Sequence, residues 1–205
     1  MRRYDDIAFT DEVKLRQELD GSRASYEQAA RQTEPPAALG PHEQAFIRAA
    51  DSFYLASVSS SGWPYIQHRG GPAGFVHLVD DVTLAWLERH GNRQYITAGN
   101  LDHDDRVALF FMDYPERARL KLHGHAERID QPEPELVERL GGGRATGAMI
   151  VRVETLAWNC SKYITPRYTS ETVRAAVQPL ERRIHELEHL LARAAENGAA
   201  ARPSS

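Results

Sequence analysis

Two short stretches of the chain concentrate residues suited to holding an anion. In Gln67-His68-Arg69-Gly70-Gly71-Pro72-Ala73-Gly74-Phe75 an arginine closing a strand-like run meets three glycines and a proline. Glycine allows a ligand close to backbone N–H groups, and the planar fork of arginine matches a phosphate or a carbonyl. A tight hairpin with a solvated arginine has the same local signature. In Glu88-Arg89-His90-Gly91-Asn92-Arg93-Gln94-Tyr95 a strand-like run leads into a helix-like one, so the first helical amides can face an anion. Arg93 would supply the charge, and Asn92 and Gln94 neutral hydrogen bonds. A bland surface cap is the alternative. A hydrogen bond to a charged group contributes about 1.5–3 kcal/mol, so two arginines with backbone amides suffice to retain a phosphomonoester.

Other combinations point to chemistry less well. His185-Glu186-Leu187-Glu188-His189 is an H-E-x-x-H string, which sets two imidazoles one helical turn apart as zinc proteases require. It lacks a third ligand, and the leucine spacing turns both histidines away from the apolar seam. We assign no metal. His123 and His125 alternate on one strand face, as a metal or haem pair would, but such a pair is also an ordinary hydrogen-bonded strand feature. Gly141-Gly142-Gly143 has no following lysine and reads as a flexible turn rather than a phosphate cradle. Trp63 and Trp86 suit stacking on a flat ring or packing in a core. No serine, histidine and aspartate set forms a nucleophilic triad, and no residue is assigned to catalysis.

These stretches need elements to position them. Asp11–Gln32 is polar with Val13, Leu15 and Leu19 as anchors, which predicts one peripheral helix ahead of a stiff linker at Glu34-Pro35-Pro36. Pro41 opens a second helix carrying Phe46 and Ile47. Short β-rich runs follow at 53–58, 64–68, 74–78, 82–87, 107–112, 120–128 and 148–153, the last running on toward Trp158. Close-spaced strands of this kind predict an antiparallel barrel or sandwich, with short helices within 91–101 and 132–140. From Ser170 to Glu196 the chain is strongly helical, with Leu180, Ile184, Leu187 and Leu191 spaced four, three and four apart. Such a seam packs on another helix or on a partner subunit.

With 205 residues and 41% hydrophobic content the chain can bury one good core and carry terminal extensions. Divided along these lines, 1–40 is a helical extension and linker, 41–168 the strand-rich domain, and 169–205 a C-terminal helix with a disordered tail. The 25 basic and 29 acidic residues give a net charge of −4, which offers no global attraction to nucleic acid or an anionic membrane. An anionic ligand must therefore be met by a local basic pocket. No apolar run is long enough for a bilayer, and no signal or transit peptide is readable. The single cysteine, Cys160, excludes an intramolecular disulfide. A cytoplasmic location is the expectation.

Taken in order, Phe53-Tyr54-Leu55-Ala56, Ser61-Gly62-Trp63-Pro64-Tyr65, the two anion stretches, Asp105-Arg106-Val107-Ala108-Leu109-Phe110-Phe111, Trp158-Asn159-Cys160 and Ile164-Thr165-Pro166-Arg167 resemble the pyridoxamine 5'-phosphate oxidase-like FMN-binding proteins over roughly Phe46 to Arg167. The resemblance implies an α+β, mainly β fold: a six-stranded antiparallel split β-barrel with peripheral helices and a long C-terminal helix. It also implies a homodimer with FMN at the subunit interface. By position, Arg69 begins the flavin-contacting strand, Gly70 and Gly71 offer backbone to the ring, and Trp86 and Leu87 match the next strand's contacts. Asn92, Arg93 and Gln94 match the phosphate turn, and Arg119, Trp158 and Arg167 match later cofactor-site positions. Arg69 or Arg119 would lie near the pyrimidine edge of the flavin and stabilise its anionic reduced form.

Two departures concern the substrate. Gly74 stands where the oxidases have a lysine for the substrate's phosphate, and Pro166-Arg167-Tyr168 replaces their late Arg-Leu-His motif. Pyridoxamine phosphate is therefore not the expected substrate, which stays unknown. A flavin oxidoreductase is the leading expectation. A flavin store or sensor without turnover, or a relative binding a deazaflavin or haem, is the alternative.

Overall fold

The computed structural model describes residues 1–200, with side chains through 194. The chain forms two compact units, Met1–Ile164 and Thr165–Ser205.

The first unit is built on alternation. β1 (Ser52–Val58) buries Phe53, Leu55 and Ser57 and turns the intervening residues outward, the two-residue period of a strand with one face on a core. β2 (Pro64–Gly70) leaves every second residue exposed. β3 (His77–Leu78), β4 (Thr83–Glu88), β5 (Arg106–Asp113), β6 (Ala118–Ile129) and β7 (Gly147–Trp158) complete one antiparallel sheet in the order β2-β1-β5-β6-β7-β4-β3. Among the described residues there are thus seven strands, not the six implied by the resemblance. The extra one is the residue of the run expected over Gly74–Leu78, which is mostly turn. Gly74 has φ +85°, and the Phe75 N–H closes on the Pro72 carbonyl, so pairing begins only at His77.

Phe53 of β1 and Trp86 of β4 are four ladders apart in that order, roughly 19 Å in a flat sheet. Their rings nevertheless meet at 5.1 Å. The sheet therefore curls until its two halves face each other. The interior is filled by Phe53, Leu55, Leu84, Trp86, Leu109, Phe111, Leu120, Leu122, Met149 and Val151. Each such side chain contributes about 1.5–3 kcal/mol on burial. The β6–β7 ladder slips at His123/Gly124, where a Cβ on Gly124 would lie 2.3 Å from the Arg152 carbonyl oxygen. Only glycine passes that crossing.

α1 (Tyr4–Ala8) precedes α2 (Asp11–Asp20) and α3 (Arg23–Gln32). The single helix expected over Asp11–Gln32 is broken because Gly21 takes φ +78° and turns its N–H back onto the Gln17 and Glu18 carbonyls, a left-handed C-cap. α4 (Pro41–Ala49) starts on its proline and buries Ile47. α5 (Ile96–Leu101) and α6 (Pro134–Arg139) fall in the two expected short-helix regions.

In the second unit, α7 (Ser170–Ala200) runs through Pro179 and leaves Val173, Val177, Leu180, Ile184, Leu187 and Leu191 exposed. The tail expected to be disordered past this helix lies outside the described residues. No described helix is long and apolar enough to cross a membrane.

Candidate functional site

The curl of the sheet brings three inward-pointing side chains together at one end of the interior. Arg69 pairs across the ladder with Phe53, so it shares that residue's inward face. Glu88 shares the face of Trp86, and Arg128 that of Leu120 and Leu122. Arg69 Nη2 lies 2.9 Å from Glu88 Oε1, and Arg128 Nε lies 2.7 Å from Glu88 Oε2. Arg128 also donates to the Thr146 carbonyl at 3.1 Å and pairs with Asp130. Glu88 is only 11% exposed. One carboxylate thus spaces two guanidinium groups, and buried charges of this kind persist only where paired.

The Arg69 Nε is buried and has no hydrogen-bond partner. A buried donor in that state costs about 1–3 kcal/mol, so it is a natural point for a ligand acceptor.

The segment between β4 and α5 closes over this end. Asn92 accepts a hydrogen bond from the Gln94 N–H at 3.2 Å, and Arg93 and Tyr95 take φ +59° and +52°. Non-glycine residues in that region carry strain of about 1 kcal/mol or more each. α5 contains six residues and begins after Tyr95, so the amides of 92–94 belong to a loop and not to the first helical turn expected from the sequence. The loop's far end is pinned from within: Thr97 Oγ1 donates to Gln67 Oε1 at 2.9 Å and Asn100 Nδ2 to Ser57 Oγ at 2.8 Å. The Arg128 guanidinium sits 5.9 Å from the centroid of the Tyr95 ring, within cation–π range.

Two grooves share Arg69, Glu88, Arg89 and His90. The smaller, about 80 Å³, runs under the loop past Asn92, Arg93, Gln94 and Arg128. The larger, about 460 Å³, runs past Gly70, Gly71, Phe75, Trp86 and Leu87. Eight of the eleven residues picked out in the sequence therefore line one continuous region. Four arginines, at 69, 89, 93 and 128, face it against Glu88 and Asp130, a local positive excess in a chain of net charge −4.

The remaining three are placed elsewhere. Arg119 stands at the opposite end of β6 from Arg128, on the outward face across from Met112. Its Nε is buried without a partner. The Trp158 Nε1 donates to Glu43 Oε1 at 2.7 Å, and its ring packs between His42 and Phe46 of α4 at 4.5 and 4.8 Å. Arg167 belongs to the second unit.

The glycines are not equivalent. A Cβ on Gly71 would lie 2.6 Å from Phe75 Cγ, so that glycine is required by the packing of Phe75. Gly70 is restricted mainly by the His68 ring. Trp86 is 2% exposed with its Nε1 unpartnered, so its ring is core and only one edge borders the larger groove. The sequence reasoning gave no role to Glu88, Arg89 or Arg128: the first two open the second anion stretch without one, and Arg128 sits in no recognisable motif.

A family model described as pyridoxamine 5'-phosphate oxidase matches residues 39–157, more than half of the chain. No curated protein sequence matches. Among solved structures, the fold is similar to HupZ from Group A Streptococcus, at 16% identity and TM-score 0.47 over 63% of this chain and 98% of that one. It is similar to a putative pyridoxamine 5'-phosphate oxidase from Lactobacillus delbrueckii, at 19% identity and TM-score 0.47 over 58% and 93%. It is also similar to HutZ, the haem storage protein from Vibrio cholerae, at 16% identity and TM-score 0.41 over 58% and 94%. With the matched segment running from two residues ahead of α4 to the penultimate residue of β7, the chain belongs to the pyridoxamine 5'-phosphate oxidase family.

Proposed function

We propose that this protein is an FMN-binding oxidoreductase of the family, acting as a homodimer, with a substrate other than pyridoxamine phosphate. The observation that carries the proposal is the arginine cluster around Glu88 with an unpartnered, buried Arg69 Nε. FMN presents a phosphomonoester and a flat apolar ring edged by hydrogen-bond acceptors, and the two grooves divide in the same way.

Arg93, Asn92 and Gln94 would hold the phosphate beneath the strained loop. Arg69 would donate to the ring's polar edge, with Gly70, Gly71, Trp86 and Leu87 along its apolar body. The curled sheet, with β2 and β4 linked by Arg69–Glu88, is the proposed split barrel. Arg119, Trp158 and Arg167 are assigned to completing the site across the homodimer, where the same residues of a second copy approach the groove. When bound, FMN supplies hydride or single-electron transfer, and the chain supplies position and charge. Gly74 has φ +85°, a backbone a lysine adopts only under strain, which supports a substrate without the phosphate contact made there in the oxidases.

The test is fluorescence titration of FMN with the wild-type protein and with Arg93→Ala. We expect at least a tenfold loss of affinity, equivalent to about 1.4 kcal/mol, with unchanged thermal unfolding. Equal affinity would overturn the phosphate assignment. A released cofactor with a deazaflavin mass, or a Soret band in the purified protein, would overturn FMN itself.

A further inference from the structure

We infer that α7 forms a parallel, two-stranded coiled coil with the same helix of a second copy of this chain. Val173, Val177, Leu180, Ile184, Leu187 and Leu191 repeat at alternating intervals of four and three over nineteen residues, and all are exposed. This is the a/d repeat of a supercoiled pair, and a helix draws most of its stability from packing such a face. Among the described residues of its own unit nothing covers that face.

The residue types select the partner. Val177, Ile184 and Leu191 hold the a positions, and Val173, Leu180 and Leu187 the d positions. In the two central layers, Val177 and Ile184 at a with Leu180 and Leu187 at d favour two parallel strands over three or four. Charge complementarity agrees. In a parallel pair each g residue faces the e residue five positions on in the partner, which sets Arg183 against Glu188 twice by symmetry.

Arg183 now pairs with Glu186 of its own helix at 3.0 Å, both 63% exposed, a surface contact too weak to prevent exchange. Pro179 occupies a c position away from the seam, so the hydrogen bond it forgoes faces solvent. His185 and His189 fall at b and f, also off the seam.

The test uses the full-length chain with its only cysteine removed, as Cys160→Ser/Leu187→Cys, oxidised and run on a non-reducing gel. We expect a covalent dimer through equivalent positions. Cys160→Ser/Arg182→Cys, with its thiol at the outward f position, is expected to stay mostly uncrosslinked. Adding Arg183→Glu to the Leu187→Cys variant should bring the dimer yield down to that control, and so should adding Glu188→Arg. Mixing those two charge variants should restore it, because the mixed pair regains both attractive contacts. Equal cross-linking at 182 and 187, or none at 187, would overturn the inference. So would yields indifferent to both charge reversals.

Discussion

At the scale of single residues the decisive group is Glu88, which opens the second anion stretch of the sequence but has no role assigned to it there. Arg69, Glu88 and Arg128 are far apart in the chain, and no spacing rule links them, because they meet only when the sheet has curled. Arg69 and Arg93 were legible because each stands beside glycine or amide residues that mark a local turn. With side chains at 11%, 12% and 20% exposure for Glu88, Arg128 and Arg69, solvent screens the three charges little. Glu88→Ala should therefore leave two arginines in partial burial without their anion and lower stability by about 3 kcal/mol, read by urea unfolding. Glu88→Gln keeps the shape and part of the hydrogen bonding, so its loss should be smaller. Unfolding of Glu88→Ala at the wild-type urea midpoint would show that Asp130 and solvent already neutralise the pair.

At the scale of elements, the N-terminal segment is fastened to β6 and β7 by a charge chain that the sequence did not disclose. Arg2 bonds Glu154 at 3.0 Å. His125 lies between Asp105 at 2.8 Å and Glu154 at 3.3 Å. The hydrogen bond to Asp105, aided by Glu154, raises the His125 pKa above its ordinary 6.5. A histidine whose folded value is raised contributes stability that is fully present below 6.5 and is lost as pH rises through the folded value. At 46% side-chain exposure the contribution is small, about 1 kcal/mol or less.

His123, two residues away, behaves oppositely. Burial, and then the Lys121 charge, lower its pKa. The Tyr4 ring lies over it at 5.1 Å. Its contribution is present above 6.5 and is lost as pH falls through the lowered value. Comparing melting temperatures across this range, His125→Gln should destabilise more at about pH 5.5 than at about pH 8.5, and His123→Gln should reduce the loss of stability in acid. Identical pH profiles for both variants and wild type would exclude the charge chain as a fastening. The strands themselves were legible from alternation, whereas the break at Gly21 was not. Asp20-Gly21-Ser22 carries a turn signal, but a lone glycine is also tolerated within a helix, and the polar run on either side reads as continuous.

At the scale of the whole molecule, two different apolar surfaces stand exposed among the described residues. The seam of α7 was legible from spacing alone, since a heptad needs no tertiary context. The outward face of β2 and β1 was not, because it appears as a patch only once register sets Ile66 beside Ala56 and Ala56 beside Ala108. Ile66 is 64% exposed and Val58, on the same outward face of β1, 39%, and contiguous apolar exposure of this kind marks an association surface. If the proposed FMN site is completed across that face, Ile66→Lys should weaken FMN binding at least tenfold, about 1.4 kcal/mol, although residue 66 lies outside both grooves. The chains should nevertheless remain associated in sedimentation, held by α7. Arg183→Glu should have the reverse effect, leaving FMN affinity unchanged. Only the combined variant should sediment as a monomer. Wild-type FMN affinity in Ile66→Lys would place the cofactor site within one chain and remove the sheet face from it.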